Sequence, residues 1–267
     1  MLPLSDIIRR HNVCFHSYAD DTQLYISAEP NDATAINSIT TCLMAANKWM
    51  SDNFLKLNED KTEILLVGPK TKRETLSINL GKLAPRIKSE VTSLGIVLDP
   101  DLSFKSHINK VTKTSFFHLR NLAKVRPFIN QKDAEQLIHA FISSRLDYCN
   151  VLFTGLPKKT TDRLQLIQNS AARLLTRTRK REHISPVLAA LHWLPVTFRV
   201  DFKVFLLVYK ALHGLGPSYI ANSLIGYAPQ RALRSSAAGL LVPYNSRKKI
   251  GDAAFITYPP KLWTHYL

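Results

Sequence analysis

The chain has 267 residues, 45% hydrophobic and 9% aromatic, which is enough apolar material for one large or two small cores, so a folded chain rather than a disordered polymer is the expectation. Its 36 Lys and Arg against 20 Asp and Glu give a net charge of +16, and no apolar run approaches the roughly 20 residues that a bilayer span needs. We therefore expect a soluble, intracellular chain in the nucleus, the cytoplasm or both, neither secreted nor in contact with a membrane.

Along the chain, Val13 to Tyr18 and Gln23 to Ser27 read as two strands around an Asp20-Asp21 turn, with Asp6 in a loop or short helix ahead of them. Asn31-Asp32 can cap a helix over 33–53, whose Ile36, Ile39, Leu43, Ala46 and Met50 recur every three or four residues. Lys61 to Val67, Leu76 to Leu80 and Val91 to Leu98 read as further strands, with Gly81 and Pro85 between them. From Phe104 the period becomes helical: Ile108, Val111, Ser115, Leu119 and Leu122 share a face, and Pro127 marks the stop. Helices are expected over 131–148, on Ala134, Leu137, Ile138, Phe141 and Leu146, then over 161–176 and 197–212. Residues 218–250, rich in Ser, Pro and Arg, should be the least ordered. The fold class is thus α+β, with boundaries at 1–101, 102–217 and 218–267.

Charge follows the same division. Residues 1–101 carry 11 Lys/Arg against 13 Asp/Glu, a balance of −2, whereas residues 102–267 carry 25 against 7, a balance of +18. A basic second part suits a polyanionic partner, although a lysine-rich surface also serves solubility. Cys14, Cys42 and Cys149 are odd in number and far apart, so we expect buried, reduced thiols and neither a disulfide framework nor a zinc site.

The most informative residues are Asp20 and Asp21. Adjacent carboxylates repel and raise each other's pKa, and a divalent cation is the usual reason to hold them together on an apolar hairpin. The competing reading is an Asp-rich hairpin turn.

The segment His16-Ser-Tyr-Ala-Asp-Asp-Thr-Gln-Leu-Tyr25 resembles the Tyr-Ala-Asp-Asp box of reverse transcriptases of non-LTR, LINE-type, jockey-like retrotransposons. The resemblance continues in order. Leu57-Asn-Glu-Asp-Lys-Thr-Glu63 is similar to the family's lysine-bearing box, and Leu94-Gly-Ile-Val-Leu-Asp99 to the strand pair that grips the primer end. Phe104 to Ile108, Arg145 to Asn150 and Leu164 to Leu175 resemble its helical region after the polymerase, and Leu241 to Trp263 its closing strand-and-Trp motif.

The resemblance implies a partial reverse-transcriptase palm over 1–101, with a β-hairpin, antiparallel strands and a packing helix. A basic, α-helical thumb-like region over 102–217 and a partly irregular C-terminal extension over 218–267 would follow. In the intact parent it implies Mg²⁺ or Mn²⁺ held by Asp20 and, more weakly, Asp21, for two-metal nucleotidyl transfer. Lys61 would face the departing pyrophosphate as a catalytic group. Tyr18, Leu94 and Gly95 would meet nucleotide or primer, Gly95 through a close backbone approach. Each has a plainer reading, Tyr18 as strand filling, Lys61 as surface, Gly95 as a bulge.

Arg173, Arg177, Arg179, Lys180 and Arg181 form the densest basic cluster, suited to the backbone of an RNA template or an RNA–DNA hybrid, to nuclear import, or to solvation alone. The family carries a further metal-binding Asp on a strand well before the box, together with fingers and an upstream endonuclease. Only seventeen residues precede Tyr18, and Asp6 is the sole acid among them. The expectation is a C-terminal fragment that does not polymerise alone, or alternatively a non-catalytic nucleic-acid-binding or interaction remnant.

Overall fold

The computed structural model describes residues 2–228, 239–246 and 249–266 and divides the chain into two units, Met1–Leu102 and Ser103–Leu267. The architecture is mixed α and β, with two small antiparallel sheets of two strands each. No described helix is long and apolar enough to cross a membrane.

In the first unit, helix α1 (Leu2–Arg10) precedes an antiparallel hairpin of β1 (Cys14–Tyr18) and β2 (Asp21–Tyr25). Helix α2 (Ala33–Asp52) starts where Asp32 caps it, its carboxylate accepting from the backbone N–H groups of Thr34 at 2.9 Å and Ala35 at 3.1 Å. Its most buried stripe is Ala35, Cys42 and Ala46, so the packed face is turned about one residue from the expected one. Small side chains there let α1 approach closely, and Leu4, Ile8 and Val13 complete the cluster, with Phe15, Leu24, Trp49 and Met50 partly buried against it. Three fully buried aliphatic side chains at about 2 kcal/mol each make a thin core.

Two expected strands are absent from this unit. Leu76 to Leu80 lies instead in and just after helix α3 (Lys70–Asn79), supported by the Lys70–Glu74 pair one turn apart. Its alternating Leu76, Ile78 and Leu80 find no strand to pair with, and Ile78 is left exposed. Lys61 to Val67 contributes a 3₁₀ turn (Glu59–Lys61) and one parallel bridge, Ile64 to Ile87. Val91 to Leu98 is a hairpin, β3 (Val91–Ser93) and β4 (Ile96–Leu98), rather than one strand.

The second unit is helical. Helix α4 (Lys105–Val125) buries Ile108, Val111, Ser115 and Leu119, four of the five residues whose spacing predicted its inner face. It packs on α7 (Lys158–Thr176), which also meets α5 (Gln131–Ile138), α8 (Ser185–Ala190) and α9 (Val196–Leu212). The helix expected over 131–148 is interrupted by one π turn (His139–Ser143) before α6 (Ser144–Asp147). Ile138, Ile142 and Leu146 stay buried across it, and Phe141 is exposed instead of buried. Arg199 of α9 forms a two-pronged pair with Asp147, its Nε donating at 2.8 Å.

Helices α10 (Ser218–Ala221), α11 (Lys249–Asp252) and α12 (Tyr258–Tyr266) follow, and α10 and α12 pack on α9. Trp263 therefore stands on a helix, with its indole N–H donating to the Gly239 carbonyl at 3.0 Å, while Leu241 bridges Gly226. The expectation of least order over 218–250 falls partly on 229–238 and 247–248, which lie outside the described residues.

Candidate functional site

The acid doublet lies on the tightest part of the first hairpin. Tyr18 pairs with Asp21, so the loop is two residues, Ala19-Asp20, and Asp21 already belongs to β2. Ala19 has φ +53°, a left-handed conformation that costs a non-glycine residue about 1–2 kcal/mol. A strained turn that keeps Ala where Gly would relax it holds its neighbours in one geometry.

Strand alternation sorts the side chains. Phe15 and Leu24, paired across the strands, turn to the α1–α2 core. The pairs Tyr18–Asp21, His16–Gln23 and Cys14–Tyr25 share the opposite face. There the His16 ring stacks on Tyr25 with centroids 5.2 Å apart, and His16 Nε2 lies 3.1 Å from the Tyr25 hydroxyl. Gln23 Nε2 on this face donates to Ser93 Oγ, at the end of β3.

Ser93 immediately precedes the second two-residue turn, Leu94-Gly95, where φ is +45° and +81°. Both residues are left-handed, the primed-turn geometry that matches strand twist, and Leu94 bears strain that Gly95 does not. One side-chain contact, Gln23 to Ser93, thus links the strand face bearing Asp21 to the end of the strand that precedes the Leu94–Gly95 turn. Tyr18, Asp20, Asp21, Leu94 and Gly95 are all solvent-exposed.

Lys61 stands on a 3₁₀ turn, Glu59–Lys61. It ends that turn, where its backbone N–H donates to Asn58 Oδ1 at 3.1 Å, and its ammonium makes no ion pair among the described residues. Nor do the described residues gather three or more His, Cys, Asp or Glu side chains that could hold a metal. Two carboxylates are hard oxygen donors that suit one hydrated Mg²⁺, which keeps several of its own waters, and fall short of the ligand set for a metal pair. The cysteines differ from expectation: Cys42 alone is buried, and burial pushes its thiol pKa up, whereas Cys14 and Cys149 are exposed. Cys14 is on the outward face of a two-stranded hairpin, and Cys149 in a left-handed turn.

In the helical unit, the five predicted cations of the Arg173–Arg181 stretch divide. Arg173 donates to the carbonyls of Arg179 and, at 2.7 Å, Glu182, folding the loop back along α7. Arg177 caps α7 with φ +57° and reaches the Arg126 carbonyl at 3.4 Å. Arg179, Lys180 and Arg181 are exposed. Arg126, Arg173 and Arg177 line a cleft of about 390 Å³ with Ala123, Pro127 and Leu174, at the C-terminal ends of α4 and α7. Carbonyls occupy much of that arginine donor capacity, and helix C-termini disfavour anions.

The stronger cationic surface is one the motif reading passed over. Lys110, Lys113, Phe117, Arg120 and Lys124 recur at intervals of three and four on α4, all exposed, along a line of about 21 Å. The helix has no acid, and no ion pair among the described residues engages these cations. The signal was available: residues 102–132 hold seven Lys and Arg and no Asp or Glu. Compared with family models, curated proteins and solved structures, the chain finds no match in any of the three.

Proposed function

We propose that this chain is part of an RNA-directed DNA polymerase of the non-LTR retrotransposon kind, with the metal-facing hairpin in its first unit and the nucleic-acid-holding surface in its second. The observation that carries the reading is the strained Ala19-Asp20 turn beside Asp21, which shares a strand face with Gln23, itself hydrogen-bonded to Ser93 next to the Leu94–Gly95 turn. A metal ion bound there would act as a Lewis acid at the primer 3′-hydroxyl or the α-phosphate, and the second ion that stabilises the leaving pyrophosphate would need ligands beyond Asp20 and Asp21. The chain's own residues divide the remaining work. Asp20 and Asp21 present carboxylate oxygens, and Tyr18 and the Leu94–Gly95 turn offer exposed surface to nucleotide and primer. The α4 cations hold an RNA template or RNA–DNA hybrid by its phosphates.

With two acids and no third carboxylate gathered beside them among the described residues, the chain by itself binds nucleic acid without turnover. The free α4 cation stripe favours this second, non-catalytic reading as the activity of the isolated polypeptide. Paramagnetic Mn²⁺ tests the first unit: amide signals of residues 18–22 should broaden, and Asp20→Asn should abolish the effect. Broadening spread evenly over surface acids would sink the metal reading. Primer extension on an RNA template with Mg²⁺ should give no incorporation, and incorporation abolished by Asp20→Ala would show the polypeptide to be a complete polymerase.

A further inference from the structure

We infer that the surface around Phe117 and Phe141 is a stacking platform for unpaired bases, so that the helical unit takes single-stranded RNA or DNA in preference to a duplex. The inference rests on the nucleic-acid reading above and adds the strandedness of the ligand and the residues that read it.

Three rings form a connected group. His118 stacks on Phe141 with centroids 4.9 Å apart and planes 19° from parallel, and Phe117 meets His118 edge-on at 5.4 Å. Phe117 is 52% exposed and Phe141 38%. Isolated exposed aromatics are ordinary, but here Phe117 lies within the α4 cation stripe and is joined to Phe141 through the His118 ring. Phe141 reaches this surface at the π turn, a feature that recurs where a helix is adapted to a task.

The platform is also pre-set. Arg145 donates from Nε to the Phe141 carbonyl at 3.1 Å, and its Nη2 lies 3.3 Å from His118 Nε2, tying α6 and the π turn to α4. Rings held in place before binding lose less freedom when a ligand arrives.

Around Phe117 the charges fit the ligand. Lys113 stands one helical turn before it, and Arg120 and Lys124 one and two turns after it, all on the same face. A base stacked on Phe117 therefore has a cation about 5.4 Å along the helix in either direction for its flanking phosphates. Paired bases hide their faces within the duplex, whereas an unpaired base offers its face to an aromatic ring whatever its sequence.

Fluorescence anisotropy on the full chain tests this with a labelled single-stranded RNA and the blunt duplex of the same length. The single strand should bind more tightly. Phe117→Ala and Phe141→Ala should each weaken it by roughly 5- to 150-fold while changing duplex binding little. Phe117→Trp should retain affinity, and Phe117→Leu, apolar but without a π face, should lose it. Circular dichroism melting of each variant checks that this exposed position leaves the fold intact. Equal binding of both ligands, or full affinity in Phe117→Leu, overturns the stacking platform but spares the nucleic-acid reading if Lys113→Gln still weakens binding. No binding of either ligand at low salt overturns both.

Discussion

Charge alone does not define a binding residue, as two arrangements in the helical unit make plain. Arg126 is 9% exposed, and its guanidinium donates to the carbonyls of Leu174 at 3.2 Å, Leu175 at 2.8 Å and Ile129 at 3.1 Å. It satisfies the last carbonyls of α7, which have no partner within the helix. Arg126→Met should lower unfolding free energy by about 3 kcal/mol, since it leaves those acceptors buried and unpaired, and Arg126→Lys should recover only part of it. Chemical denaturation measures both, and a loss below about 0.5 kcal/mol would show that water replaces the guanidinium at little cost. Lys113 and Lys124, by contrast, have neither carbonyl nor carboxylate to serve among the described residues and remain available to a phosphate. Ala19 and Leu94 are different again, since their left-handed backbones fix where a turn points rather than adding a contact.

Among elements, the helices were the more legible from sequence. The period in 108–122 named the buried face of α4, and Asp32 named the start of α2, because both signals act within one or two turns of chain. Strands were less legible because a strand exists only where another edge accepts its hydrogen bonds. Leu76 to Leu80 has strand-like alternation and no such edge, so it joins a helix and its end. The docking of α12 on α9 adds a titratable contact, with the Tyr258 hydroxyl donating to Asp201 at 2.9 Å. Burial pushes the Asp201 carboxyl up, and the Tyr258 hydrogen bond pulls it partly back. The folded chain therefore holds that proton more tightly than the unfolded chain, whose Asp titrates near 3.9. Its contribution is fully present below that value and is lost as pH rises through the raised folded value. Relative to wild type, Asp201→Asn should gain melting temperature from about pH 3 toward neutrality, and a constant difference across that range would sink the assignment.

At the scale of the whole molecule, the excess charge belongs to the second part of the sequence, +18 against −2, and α4 arrays some of it on one face without acids. RNA affinity should therefore fall steeply with salt, and Lys110→Gln with Lys113→Gln should reduce the slope of log K against log salt by about 0.7 for each lysine on a single strand. Filter binding from low to physiological salt checks this, and an unchanged slope would place the phosphates elsewhere. The sequence by itself determined the composition class, the charge asymmetry, the helical period of the second part and the doublet at Asp20 and Asp21, because each is written in residue order. Only the tertiary structure decided that Asp21 shares a face with the Gln23–Ser93 contact, that Arg173 serves carbonyls, and that Phe141 turns outward. Those outcomes depend on which distant segments satisfy one another's hydrogen bonds and burial, and nearest neighbours along the chain do not fix that pairing.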